Sequence, residues 1–196
     1  MRLWLMVEEL KKILREVVAE LKVNNIDAVV VGSTVVSFAL GGLFKEDEDI
    51  DFFVTNRSPL LEEDLFKNIA ISKGWDYTYT DYGTPRLIIP YEYGEFFVDF
   101  YENIHDFYIP EEIINNEVRK LKINKYKVKI ISLEAYIVLK ARIGRRVDDR
   151  DLVKIKNLID DGYLKINKRK IMELLKYFPE EEIGMMKNRL IRKGII

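Results

Sequence analysis

KEDEDIDFFV, Lys45 to Val54, sets five acids into the six positions from Glu46 to Asp51 and then runs into three apolar residues. Like charges packed together repel, and a carboxylate beside a core is costly unless something positive neutralises it. A solvated loop accounts for Glu46, Asp47 and Glu48. It does not account for Asp51, which sits inside the apolar run two residues after Asp49. On a strand, residues i and i+2 share a face, so Asp49 and Asp51 present two carboxylates side by side while Ile50 and Phe52 point into a core. Such a pair suits coordination of Mg²⁺ or Mn²⁺, which removes the repulsion between them. Asp47 shares their parity, so a register two residues earlier is open; the FFV after Asp51 argues for the later one.

Upstream, IDAVVVG (Ile26–Gly32) is a β-branched run ending in glycine, which reads as a buried strand. Ser33 then caps a helix through VVSFAL that Gly41-Gly42 stops. At such a strand-to-helix joint the backbone N–H groups and helix dipole favour an anion, and a triphosphate tail is one. Gly32 allows close approach and the Ser33 hydroxyl adds a donor; Ser33 acting as a cap alone is the simpler alternative. A third acid, Asp99 in EFFVDFY, is alone in an apolar strand. Buried carboxylates are rare without a partner, and a metal shared with Asp49 and Asp51 would be one. An edge strand with Asp99 facing water is the other reading.

The rest of the chain frames these residues. Leu3 to Leu21 places Met6, Leu10, Ile13, Val17 and Leu21 on one helical stripe. After the DIDFFV strand, Asn56 to Pro59 turns, and a helix capped by Ser58 and opened by Pro59 runs to about Lys73 and Gly74. WDYTYT, PRLIIPY and EFFVDFY read as three strands, crowded by Tyr77, Tyr79, Tyr82, Tyr91 and Tyr93, any of which could stack on a base. The polar stretch ENIHDFYIPEEIINN is a candidate boundary, with His105 a loop residue. RKLKI and YKVKII around Asn124-Lys125 form a basic hairpin. Its six Lys/Arg within Arg119–Lys129 suit an RNA backbone, but they are also the charges by which edge strands avoid aggregation, which is the preferred reading. Helices follow from Ser132, Asp148, Asn167 and Pro179. The expected fold is α+β: a front of strands and helices over residues 1–105, a connector and hairpin over 106–131, and a helical region over 132–196.

Composition narrows the chemistry. The 196 residues contain no cysteine and one histidine, so thiolate sites, a His-rich zinc centre and a Ser-His-Asp triad are disfavoured. Carboxylates and lysines must carry any catalysis. Residues 1–111 hold 10 Lys+Arg against 21 Asp+Glu, whereas residues 112–196 hold 22 against 12. That split fits metal binding in front and polyanion binding behind, or two subdomains neutralising each other. Neither a signal peptide nor a membrane span is visible, so a soluble, cytoplasmic protein is expected.

The run VVVGSTVVSFALGGLFKEDEDIDFFV resembles the signature of the polymerase-β-like nucleotidyltransferase superfamily. There a hydrophobic strand, Gly-Ser or Gly-Gly, a short helix and Asp-x-Asp on the next strand precede a third acid on a later strand. Gly32, Ser33, Asp49, Asp51 and Asp99 fall on those positions. ISLEAYIVLKARIGRRVDDRDLVKI is similar to the helical segment of uncharacterised prokaryotic nucleotidyltransferase-like proteins and abortive-infection toxin enzymes, with Lys140, Arg145, Asp148 and Asp151 matching. Thr34-Val35-Val36 replaces the arginine that antitoxin-like and several antibiotic-modifying members carry after Gly-Ser.

The resemblance implies a mixed central sheet flanked by helices, and a metal-dependent enzyme that transfers an NMP from an NTP, ATP among the candidates, to an acceptor hydroxyl. Asp49, Asp51 and Asp99 would be its catalytic and metal-binding residues. Gly32, Ser33 and Lys140 would bind nucleotide, Lys140 being equally open to reading as a surface lysine. Asp148 is better explained by pairing with Arg142, Arg145 or the helix dipole. The acceptor would be an RNA end, a protein or a small molecule, and a partner protein of the toxin–antitoxin kind is compatible. The alternative is a catalytically silent nucleotide-binding or protein-interaction module of the same fold.

Overall fold

Leu10, Ile13, Leu14, Val17 and Leu21 are all buried, and their three- and four-residue spacing gives the opening helix α1 (Arg2–Val23) its apolar stripe. The computed structural model describes residues 2–41, 49–92, 94–104 and 107–196. The readings made above for Met6 as a side chain and for Gly42, Glu46, Asp47, Glu48, Tyr93 and His105 lie outside the described residues. β1 (Ala28–Val30), α2 (Thr34–Ala39), β2 (Asp49–Val54), α3 (Glu63–Lys73), β3 (Asp76–Tyr79), β4 (Pro85–Tyr91) and β5 (Gly94–Tyr101) follow. Then come α4 (Glu111–Asn116), the strands β6 (Val118–Ile123) and β7 (Tyr126–Ile131), and the helices α5 (Leu133–Ile143), α6 (Arg146–Asp160), α7 (Lys168–Leu174) and α8 (Glu180–Arg192).

The fold is α+β, with a seven-stranded mixed sheet in the order β3-β4-β5-β2-β1-β7-β6. β2 lies parallel to β5 and antiparallel to β1, and β1 is parallel to β7. The chain divides into two compact units, residues 1–104 with 119–130, and residues 105–118 with 131–196. In the first, alternate β2 residues Ile50 and Phe52 are buried, and the Phe52 ring stacks on Phe100, which Phe66 of α3 meets at 4.6 Å. That layer fills one face and leaves Asp49 and Asp51 on the other.

In the second unit α5 is the central helix, packed by α6, α7 and α8. Ser132 caps it, accepting from Ala135 N at 3.2 Å and donating to Glu117 at 2.6 Å. Burial of Tyr136, Ile137, Val138 and Ala141 on several sides fits its central place.

Three local expectations differ from the structure. α3 begins at Glu63, not Pro59: the Ser58 hydroxyl accepts from Leu61 N but also donates to Glu102, and residues 59–62 form turns. Ser33 makes no capping hydrogen bond through its side chain, and α2 is opened by backbone bonds from Val35 N to Gly32 O and from Val36 N to Ser33 O. The polar boundary stretch contains the short helix α4, with Ile113 fully buried.

Candidate active site

β2 and β5 are in parallel register, with Asp51 opposite Asp99, and β4 and β5 are in antiparallel register, with Asp99 opposite Arg86. Three neighbouring strands therefore place Asp51, Asp99 and Arg86 in one row across the sheet. Asp49 stands one alternation along β2 on the same face. Val31 N donates to Asp51 O at 3.0 Å, which joins the Gly32-Ser33 turn to this row.

Gly32 is held to glycine by contact rather than by backbone conformation. A β-carbon built there would overlap the carboxylate and Cβ of Asp51. The Asp51 side chain thus lies against the bare backbone of the turn. The structure brings Gly32, Asp49, Asp51 and Asp99 together within the first unit.

Asp99 is 2% exposed, and its charge is met by a guanidinium. Arg86 Nε donates to Asp99 Oδ1 at 2.6 Å and Nη2 to Oδ2 at 2.7 Å, the parallel fork that carboxylates bind most strongly. Tyr101 Oη adds a third bond, donating to Oδ2 at 2.8 Å. Burial first, then the charges of Asp51 and Asp99, push the Tyr101 hydroxyl far above its ordinary range, so it stays a donor. Hydrogen bonding to Asp99 holds Arg86 firmly charged despite its partial burial, and its guanidinium also lies 5.2 Å from the Phe97 ring. Tyr82 meets Tyr101 edge to face at 6.1 Å, which makes it the predicted tyrosine linked to the row.

Among the described residues no group of three or more His, Cys, Asp or Glu side chains is arranged to hold a metal ion. Both oxygens of Asp99 accept hydrogen bonds, from Arg86 and Tyr101. Asp49 and Asp51 form a same-face pair beside it. This donor set fits Mg²⁺, which characteristically binds through one or two carboxylates plus substrate phosphates and retained waters.

Lys140 lies in the second unit. Its ammonium is shared by Asp148 Oδ1 at 2.9 Å and Asp151 Oδ2 at 2.8 Å. Asp148, fully buried, also accepts from the backbone and side chain of Arg145, closing the start of α6. Burial opposes its charge, yet the hydrogen bonds from Arg145 and the charge and hydrogen bond of Lys140 outweigh it and hold the carboxyl below its ordinary 3.8. A depressed folded-state value contributes stability that is present above the unfolded value and lost as pH falls through the folded one. Asp148→Asn is therefore expected to lower stability at neutral pH by about 3 kcal/mol. In urea titrations the gap from wild type should narrow below about pH 4, where the unfolded carboxyl protonates. A gap independent of pH would contradict the pairing.

Arg86 and Tyr101 escape a reading that asks which metal would neutralise Asp99. The signal was present: Tyr91 pairs with Gly94 at the hairpin turn, and five residues further along each strand Arg86 meets Asp99. An arginine inside PRLIIPY and an aspartate inside FFVDFY are each the lone charge within an apolar run.

The profile of a family described as "Nucleotidyl transferase of unknown function (DUF2204)" matches residues 10–192. No curated protein matches the chain in sequence. Among solved structures, an antigenic nucleotidyltransferase-like protein from Paracoccidioides brasiliensis is similar in fold, with a TM-score of 0.60 and 17% identity over 95% of this chain and 88% of that one. The antibiotic-resistance factor ANT(2'')-Ia in solution aligns at a TM-score of 0.48 and 12% identity, over 95% of this chain and 94% of that one. A tRNA-processing enzyme with CTP aligns at a TM-score of 0.36 and 15% identity, over 89% of this chain and 55% of that one.

Proposed function

The chain belongs to the DUF2204 nucleotidyl transferases, and from that premise we propose that it moves a nucleoside monophosphate from an NTP to an acceptor hydroxyl. The acceptor oxygen bonds to the α-phosphorus, the bond to the bridging oxygen of the β-phosphate breaks, and pyrophosphate leaves. A divalent cation bound at this site supplies charge neutralisation of the phosphates and of the attacking oxygen. Asp49 and Asp51 are the residues that would hold it. Gly32 and Ser33 receive the β- and γ-phosphates through the bare backbone of the turn; α2 has six residues, so its dipole adds little. Arg86 forks onto both oxygens of Asp99 and adds positive charge to the row. Asp99 is assigned the acceptor proton, which it can take once Arg86 releases one of its oxygens, and it is the further carboxylate that would help hold metal. Lys140, clasped by Asp148 and Asp151, is assigned to holding α5 on α6 rather than to a phosphate.

The observation that carries this reading is the Asp51 carboxylate pressed against Gly32, in register with Asp99. Among the described residues no helix is long and apolar enough to cross a membrane. The test is transfer of label from each α-³²P-NTP, with Mg²⁺ or Mn²⁺, to RNA, protein and small-molecule fractions of a cell extract. Label entering one fraction with wild type, and about 100-fold less with Asp51→Asn, is expected. Equal labelling by the two proteins would sink the assignment. A module that binds NTP and labels no fraction would establish the silent alternative.

A further inference from the structure

At the end of the strands away from Gly32, the first unit carries a groove of about 690 Å³ between the close of α1 and the β6–β7 hairpin. Lys22, Lys120, Lys125, Lys127 and Lys129 line it. Its one acid, Asp27, is held by Lys129 at 2.8 Å, so the walls are strongly positive. The floor is apolar, with Ile26 and Phe52, and Tyr126 stands in the wall 5.4 Å from the Lys125 ammonium. Asn56 ties the adjoining loop down, accepting from Asp27 N and donating to Asn25 O.

The edge-strand explanation of these lysines asks only that they point to water. It does not require that they converge with a lysine of α1 on a recess bearing an aromatic ring. The groove residue Phe52 follows Asp51 on β2 but points to the opposite face of the sheet, and Asn56 lies five residues beyond Asp51 along the chain, about 17 Å of extended strand. The groove is thus a separate place from the carboxylate row.

We propose that this groove binds single-stranded nucleic acid, the lysines tracking the phosphodiester backbone and Tyr126 stacking on a base. Convergent ammonium groups supply the non-specific electrostatic attraction, and an aromatic ring accepts any unpaired base. A duplex hides its base faces and has nothing to offer Tyr126. The inference stands whether or not nucleotide transfer occurs at the other end of the strands.

The experiment is fluorescence anisotropy of labelled 12-nucleotide RNA and DNA single strands with the full chain, from 50 to 200 mM salt. About four uncompensated lysines predict a slope of log K on log salt near −3, or about a 50-fold loss across that range. Lys120→Ala/Lys125→Ala/Lys127→Ala should flatten the slope to about −1, whereas Lys165→Ala/Lys168→Ala/Lys176→Ala, all exposed in the second unit, should leave it. Tyr126→Ala should weaken binding about tenfold and Tyr126→Phe should not. A preference between the RNA and DNA strands identifies which source the groove takes. No binding at 50 mM salt, a slope unmoved by the hairpin variant, equal loss from the control variant, or equal affinity for a duplex or for poly-L-glutamate would each overturn the proposal. The hairpin lysines are remote from Asp51, so thermal shifts with NTP should survive their removal. Loss of oligonucleotide binding alone therefore reports on the groove and not on the proposed transfer.

Discussion

Gly32→Ala is expected to weaken metal-dependent NTP binding by about 100-fold while lowering stability by only about 1–3 kcal/mol. The added methyl would occupy the space now filled by the Asp51 carboxylate. Rotation of Asp51 clears its carboxylate but not its Cβ, so the turn and β2 must also shift by a few tenths of an ångström, and the carboxylate leaves the position it shares with Asp49. Gly184 in α8 serves as the control, because a β-carbon there meets nothing. Gly184→Ala should leave binding unchanged and raise stability by about 0.5–1 kcal/mol, as glycine is a poor helix former. Nucleotide titrations and urea denaturation on the two variants measure both quantities. NTP affinity unchanged in Gly32→Ala would show that Asp51 does not act from its present position.

The second large effect is at Arg86. Arg86→Met removes the only guanidinium shown on a carboxylate that is 2% exposed, and breaking such a buried pair from one side costs about 3 kcal/mol. Adding Asp99→Asn should recover much of that loss, because the double variant leaves no charge stranded. Arg86→Lys should not rescue, since an ammonium cannot reproduce the two-toothed fork. Urea midpoints for the single and double variants give the coupling between the two residues directly. Simple additivity would mean that the pair is not a unit and that Asp99 is neutralised elsewhere.

The acidic strand and its partner were readable because their pattern is local. DIDFFV alternates toward a core, FFVDFY carries one acid in an apolar run, and the Gly-Ser joint precedes them in the order of a known signature. The basic hairpin at Asn124, whose φ is +55°, follows from such local signals, whereas the mixed sheet was expected from the family resemblance. The pairing that decides the site is not local to any one element. Asp99 faces Arg86 through hairpin register and Asp51 through a parallel contact made 48 residues away, and only the former could be counted from a turn. The misplaced start of α3 has the same origin. Pro59 is well suited to a first helical turn, but Ser58 bonds to Glu102 and Arg57 pairs with Glu62, so tertiary partners hold residues 59–62 as turns. For Lys140, local reasoning saw a lysine on a helix and could not see Asp148 and Asp151 folding back onto it.

The central claim is that Asp51, braced by Gly32 and paired with Asp49, holds a metal-bound nucleotide. It is tested most directly by the thermal unfolding midpoint with each NTP, with and without Mg²⁺ or Mn²⁺, for wild type and Asp51→Asn. A ligand that binds the folded state raises the midpoint by mass action, by the equivalent of about 2.7 kcal/mol at 100 times Kd. The account predicts a rise that requires both nucleotide and metal and vanishes in Asp51→Asn. No rise with any NTP at millimolar nucleotide and metal, or an equal rise in the variant, would contradict it.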